Sequence, residues 1–241
     1  MVSVLLPTRG RVPWLVESID TLYSLAWDPA EIEVLFRADD DDDATIEACR
    51  KLLSLIPGRL FVGPRGGGYH DMCLWINHLA SQARGDWLLV WNDDVTMTTQ
   101  WWDQYLYHTR IDLHHRIRLD DISALHIKTL EDPAATEFMF VRRKMTQILG
   151  HYAMSPHSDN YIVAITGFLG MLFPSTIEVS HKSRTVDDTI RKEVLEAYKI
   201  TSPECSSPAS LRNKLRDLEV LTNWIEEHYW KNTVASPIKK S

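Results

Sequence analysis

Four short apolar runs mark the first hundred residues: VSVLLP (Val2–Pro7), EIEVLFRAD (Glu31–Asp39), RLFVGP (Arg59–Pro64) and DWLLVWND (Asp86–Asp93). Each is brief and rich in β-branched or aromatic residues, the pattern of a strand. Helical patterns lie between them. Pro13 to Leu25 lines up Leu15, Ile19, Leu22 and Leu25. Asp43 to Leu55 lines up Ile46, Cys49, Leu52 and Leu53. Tyr69 to Ala83 lines up Met72, Ile76, Leu79 and Ala83. Strands and helices alternating at this spacing predict βαβ units and a parallel, doubly wound sheet. Such sheets bind ligands at the carboxyl ends of their strands. Here those ends read PTRGR, ADDDDD, GPRGGG and NDDV. All four are polar, glycine-rich or acidic.

The second half is less regular. ISALHIKTL, EFMFVRRK and MLFPSTIEVSH have extended patterns, and SDNYIVAITGFL opens on a partial capping signature at Ser158. From Pro208 to Trp230, Leu211, Leu215, Leu218, Leu221, Trp224 and Ile225 share a helical face. That spacing predicts a packing helix. The polar tail KNTVASPIKKS is expected to be disordered.

Composition narrows the function classes. A net charge of −7 and a pI near 5.8 exclude the basic footprint of a nucleic-acid binder. Cys49, Cys73 and Cys205 are scattered and form no CxxC, so neither a zinc ribbon nor a disulfide framework is expected. The N-terminal apolar run is too short for a signal peptide. The stretch Tyr161–Phe173 is too short to cross a bilayer. These features predict a cytoplasmic protein with no transmembrane segment, with peripheral membrane contact left open.

The acidic positions carry the chemistry. Asp39–Asp43 fails as an EF-hand loop, because Ala44 stands where glycine belongs and Arg50 where glutamate belongs. A helix N-terminal cap accounts for Asp42 or Asp43 but not for all five. A carboxylate ending a second parallel strand can accept hydrogen bonds from a ribose or a base. GPRGGG offers backbone N–H groups before a helix but lacks the ending of a P-loop. In NDDV two adjacent carboxylates end an apolar strand; a turn there could carry them solvated, but once desolvated they repel unless a cation joins them, and a metal ion explains them better. Mg²⁺ or Mn²⁺ suits such hard oxygen ligands, with substrate phosphates completing the shell.

The order of these motifs resembles a family 2 glycosyltransferase of the GT-A fold. VSVLLPTRGR resembles the family's first strand and its Pro-Thr turn. EVLFRADDDDDAT resembles its second strand and acidic turn. In NHLASQARGDWLLVWNDD, residues Asn77, Ala83, Gly85 and Asp86 match the helix-strand pattern, and Asn92-Asp93-Asp94 falls on the metal-binding Asp-x-Asp. In FVRRKMTQILGHYAMSPHSDNYI, Gly150 and Asp159 match the acceptor-side motif. The resemblance covers roughly residues 1 to 190. Leu79 stands in place of a glycine, Trp75 in place of an alanine, and Ile76 in place of an arginine. Asn92 replaces the first aspartate of the metal motif, and Ser158-Asp159 the usual acidic pair.

The resemblance implies an α/β fold, a Rossmann-like, mostly parallel sheet flanked by helices, with a C-terminal helical appendage. It implies a domain over residues 1–200, with a nucleotide-sugar half (1–97) and an acceptor half (98–200); the apolar spacing and the polar tail add a helix in 201–230 and the tail 231–241. It implies a nucleotide-diphospho-sugar donor, a carbohydrate or other hydroxyl acceptor, and Mn²⁺ or Mg²⁺. Pro7, Thr8, Arg9, Asp39, Asp41, Asn77 and Asp93 fall to donor binding. Asp94 and His181 fall to the metal. Asp159 falls to the general base of an inverting transfer; apart from the resemblance, Asp187 and Asp188 in RTVDDTI are the next candidates should Asp159 fail that role. Two rival readings stay open: a sugar-phosphate nucleotidyltransferase, and an inactive nucleotide-binding module.

Overall fold

The computed structural model describes residues 1–117, 120–182 and 206–230, together with 192, 195–197, 199 and 201–203. The expected tail 231–241 lies outside them, as do Asp187, Asp188 and Cys205.

Strands β1 (Val2–Thr8), β2 (Ile32–Asp39), β3 (Gly58–Gly63) and β4 (Trp87–Val90) alternate with helices α1 (Val12–Ser24), α2 (Asp43–Leu53) and α3 (Met72–Gln82). After them come β5 (Val95–Met97), α4 (Trp102–Ile117), β6 (Ala124–Thr129), β7 (Phe138–Arg142), α5 (Arg143–Leu149), α6 (Ser158–Phe168), β8 (Leu172–His181) and a C-terminal helix (Pro208–Ile225). The eight strands form one sheet in the order β3-β2-β1-β4-β7-β6-β8-β5. The first four pair in parallel, as their spacing predicts. Beyond them the sheet is mixed. β7 runs antiparallel to β4 and β6, β8 parallel to β6, and β5 antiparallel to β8.

Both faces of the sheet are covered, because side chains alternate along each strand. Val4, Leu6, Val34, Phe36 and Leu89 join Leu15, Ile19 and Leu22 of α1 and Cys49 of α2 on one face. Leu5, Leu35 and Leu88 join Ile76 and Leu79 of α3, with Met145, Tyr161 and Leu221, on the other. The place of Leu79 is therefore set by this core, where it is fully buried. Gly85 is required by close approach. A Cβ there would lie 2.5 Å from the backbone nitrogen of Ser3, whose hydroxyl accepts the Gly85 N–H at 2.7 Å.

One feature of the topology positions the site. Only Trp91 to Asp94 separate β4 from β5, yet β7, β6 and β8 stand between those strands in the sheet. Four residues reach at most about 3.6 Å each, so the sheet must curl back on itself. Trp91 anchors the crossing, fully buried, its indole N–H donating to Ser18 Oγ at 2.7 Å. Val95 then pairs with His181, and the backbone N–H of Lys182 donates to the carbonyl of Asp94 at 2.9 Å. The strand pairing thus delivers the end of β8 to the acidic turn.

The C-terminal helix packs by part of the face its apolar spacing predicts: Leu218, Leu221, Trp224 and Ile225 meet the core. Leu211 and Leu215 are each 55% exposed, while Ser210, Asp217 and Leu221 are buried. Asp217 accepts the Tyr161 hydroxyl at 2.6 Å and lies 3.1 Å from His151 Nε2. This polar anchor ties the helix to α6. Among the described residues no helix is long and apolar enough to cross a membrane.

Candidate active site

The chain runs from β1 out to β3 and returns to β4 on the other side of β1. Parallel sheets open a crevice at such a reversal, at the strand carboxyl ends. A cleft of about 1200 Å³ lies there. Pro7, Thr8, Arg9, Asp39, Asp93, Asp94, Asp159 and His181 all line it. Two sequence-predicted residues do not. Asn77 spends its amide on backbone, accepting the N–H groups of Tyr152 and Ala153 at 2.8 and 3.0 Å and donating to the Ala153 carbonyl at 2.8 Å. It braces the segment before α6 rather than facing a ligand. Asp41 stands at the surface, where its carboxylate grips the Arg9 guanidinium.

The acidic turn after β2 divides its labour. Asp42 caps α2, accepting the Thr45 N–H at 3.2 Å, and also accepts the Gly10 N–H at 2.8 Å. Asp39 is buried between two arginines, accepting from Arg9 at 3.0 Å and from Arg37 at 3.1 Å. Arg37 also donates to the Pro64 carbonyl at 2.6 Å, and its guanidinium lies 4.9 Å over the Trp75 ring. The two loops flanking the cleft are therefore cross-linked through charge-assisted hydrogen bonds.

Asp93 and Asp94 are both buried. Asp93 accepts the Thr8 hydroxyl at 2.8 Å, across the gap between β1 and β4. Burial, then the neighbouring charge of Asp94, pushes its carboxyl up to about 6. Asp94 accepts from Arg11 at 2.7 Å, and its other oxygen lies 3.3 Å from His181 Nε2. His181 Nδ1 is 3.0 Å from Glu137. Burial alone would lower the imidazole, but the carboxylates of Asp94 and Glu137 outweigh it and raise it to about 9. Glu131 fixes the strand end by accepting the His181 N–H at 2.9 Å.

Asp159 also lines the cleft, from the first turn of α6. The N-cap of that helix is His157, not Ser158, and no side chain caps it. Burial, with a smaller contribution from Glu137, pushes the Asp159 carboxyl up to about 6.

Among the described residues no three His, Cys, Asp or Glu side chains form a metal-holding group. The donor chemistry still fits a hard cation. A carboxylate oxygen of Asp94 faces an imidazole nitrogen of His181. Such a pair suits Mn²⁺ or Mg²⁺ when substrate phosphates and water complete the shell.

Sequence reasoning passed over Arg11, Arg37 and Glu137, which also line the cleft. Arg37 left a signal, a charge embedded in the apolar run LFRAD. Glu137 left none, because its role depends on a strand pairing between distant segments.

Residues 3–110 match the model of the family described as Glycosyl transferase family 2. That segment is similar to the family, as its motifs imply. The fold is similar to that of the mannosyltransferase PcManGT from Pyrobaculum calidifontis in complex with GDP-Man and Mn²⁺. Identity is 15% and the TM-score 0.59, over 75% of this chain and 56% of that one. It is also similar to S. aureus TarS 1-349. In the complex with UDP-GlcNAc, identity is 15% and the TM-score 0.56, over 99% of this chain and 76% of that one. In the complex with UDP the values are 14% and 0.53, over 74% and 57%. The match thus spans little more than half of the mannosyltransferase and of the UDP-bound TarS chain. The architecture is the GT-A fold.

Proposed function

We propose that this chain transfers a sugar from a nucleoside-diphosphate donor to an acceptor hydroxyl, with inversion at the anomeric carbon. One observation carries the reading. Asp39 from the end of β2, Asp93 and Asp94 from beyond β4, His181 from the end of β8 and Asp159 from α6 converge on a single cleft. The segment's family match and the nucleotide sugars bound by its structural neighbours support the same chemistry.

The donor lies across the ends of β1, β2 and β4. Pro7, Thr8, Arg9 and Asp39 border the nucleoside, and Asp93 the sugar. Asp94 and His181 hold Mn²⁺ or Mg²⁺, which when bound supplies Lewis-acid neutralisation of the leaving diphosphate; the Mn²⁺ in the PcManGT complex supports this choice. Arg37 and Arg65, which line the same cleft, add positive charge on the diphosphate side. Asp159 takes the proton of the acceptor hydroxyl. With its carboxyl near 6, it is ionised at neutral pH yet basic enough to accept a proton. Inversion requires that this base set the nucleophile opposite the leaving group.

A thermal-shift screen of nucleotide sugars with Mn²⁺ tests the reading. A donor present at 100 times its Kd stabilises by about 2.7 kcal/mol. Asp94→Ala is expected to stay folded and to lose the Mn²⁺-dependent part of that shift. An unchanged shift in the folded variant would remove Asp94 from the site.

A further inference from the structure

Arg11 occupies a position that the reaction above does not use. It sits at the N-cap of α1, between the Pro-Thr turn and the helix. Its side chain is 11% exposed, 2.7 Å from Asp94 Oδ2 and 3.5 Å from Asp93 Oδ1. Its guanidinium also lies 5.1 Å over the Trp14 ring, one helical turn on. Two adjacent buried carboxylates repel strongly, and Arg11 offsets that repulsion from within the chain. It therefore holds an oxygen of the same carboxylate that faces His181.

We infer that Arg11 is the resident counter-ion of Asp93 and Asp94 and couples cation binding to donor binding. This rests on the transferase reading. While the cleft is empty, Arg11 neutralises the pair, so a divalent cation must compete with a fixed positive charge and binds weakly. A nucleoside diphosphate changes the balance. Guanidinium forks pair bidentately with phosphate oxygens, so Arg11 turns from Asp94 to the diphosphate, and the released carboxylate ligates the cation. Each ligand then strengthens the other, and linkage requires the two effects to be equal. Arg11 thus orders the site: a cation bound tightly only together with a donor.

Calorimetric titration of Mn²⁺, alone and with saturating UDP or GDP, tests this on the wild type, Arg11→Gln and Arg11→Lys. Circular dichroism confirms that each variant is folded. The wild type is expected to bind Mn²⁺ roughly tenfold or more tighter with nucleotide than without, within the usual range of such couplings. Arg11→Gln is expected to bind Mn²⁺ alone more tightly than wild type, to bind nucleotide more weakly, and to lose most of the coupling. Arg11→Lys keeps the charge but not the fork. It should hold Mn²⁺ off as the wild type does while binding nucleotide less well. If both folded variants keep wild-type Mn²⁺ affinity and wild-type coupling, the role of Arg11 is overturned while the transferase reading stands. A wild type that binds neither Mn²⁺ nor either nucleotide overturns both. Should Arg11→Gln fail to fold, Arg11→Lys decides: wild-type nucleotide affinity in it contradicts the proposal.

Discussion

Asp159→Asn is the sharpest test of the catalytic assignment, because it changes a proton acceptor with little change of shape. No side chain caps α6, so the amide disturbs no capping bond. A lost general base lowers turnover by roughly 10²–10⁴-fold, while donor affinity, set by residues at the ends of β1, β2 and β4, stays near wild type. The raised carboxyl adds a signature in pH. With Asp159 titrating at about 6, its ionised fraction falls to roughly one in ten at pH 5. Wild-type turnover should therefore rise about tenfold from pH 5 to a plateau above pH 7, and the residual activity of the variant should lack that limb. Stability gives a second sign. The folded-state pKa stands above the ordinary aspartate value, so the ionised form is penalised on folding and stability increases as pH falls through 6. The variant, with no charge to bury, should melt above wild type at pH 7.5, and the gap should narrow to about half at pH 5, closing only near pH 4. The assays are steady-state release of nucleoside diphosphate with a competent acceptor, and thermal melts at the two pH values. Near-full turnover in Asp159→Asn, with the low-pH limb intact, would refute the assignment.

Two further substitutions probe the scaffold. Thr8→Val removes the hydroxyl that donates to buried Asp93 at 2.8 Å. It should cost about 1–3 kcal/mol in urea denaturation, with Thr8→Ser restoring most of it; an unchanged midpoint would mean that the contact contributes nothing. Asp217→Ala strips the partner of Tyr161 and His151 and should cost about 1.5–3 kcal/mol or more. His151 and Tyr161 hold the Asp217 carboxyl below its ordinary value against the effect of burial, so its contribution is present above pH 4 and is lost as pH falls further. A wild-type advantage that persists unchanged at pH 2 would contradict that linkage.

The parallel half of the fold was legible because each strand is an apolar run closed by a polar or glycine-rich end. Its pattern and its pairing partners lie close in sequence. Asp93 and Asp94 could be placed at a ligand-binding edge for the same reason. The second half resisted because its geometry depends on distant pairings. Nothing local says that β5 leaves β4 to join β8, yet that pairing brings His181 to within 3.3 Å of Asp94. Only the family resemblance pointed to His181. Asn77 matched a family position, but its amide is taken up by backbone 75 and 76 residues further along, a demand that no spacing rule exposes. In the C-terminal helix, apolar periodicity selected Leu218, Leu221, Trp224 and Ile225, which pack on the core, but also the exposed Leu211 and Leu215, and it passed over the buried, charged Asp217. A carboxylate buried through partners on other elements looks like a surface residue in a one-dimensional pattern.

The central claim is that the cleft transfers a sugar and releases a nucleoside diphosphate. Incubating the protein with Mn²⁺, a panel of nucleotide sugars and candidate hydroxyl acceptors, and quantifying both nucleotide and glycosylated product, tests it most directly. The account predicts one nucleoside diphosphate released per sugar transferred, with the anomeric configuration of the donor inverted in the product. Release of pyrophosphate from a nucleoside triphosphate and a sugar phosphate, or tight donor binding with no turnover on any acceptor, would contradict it.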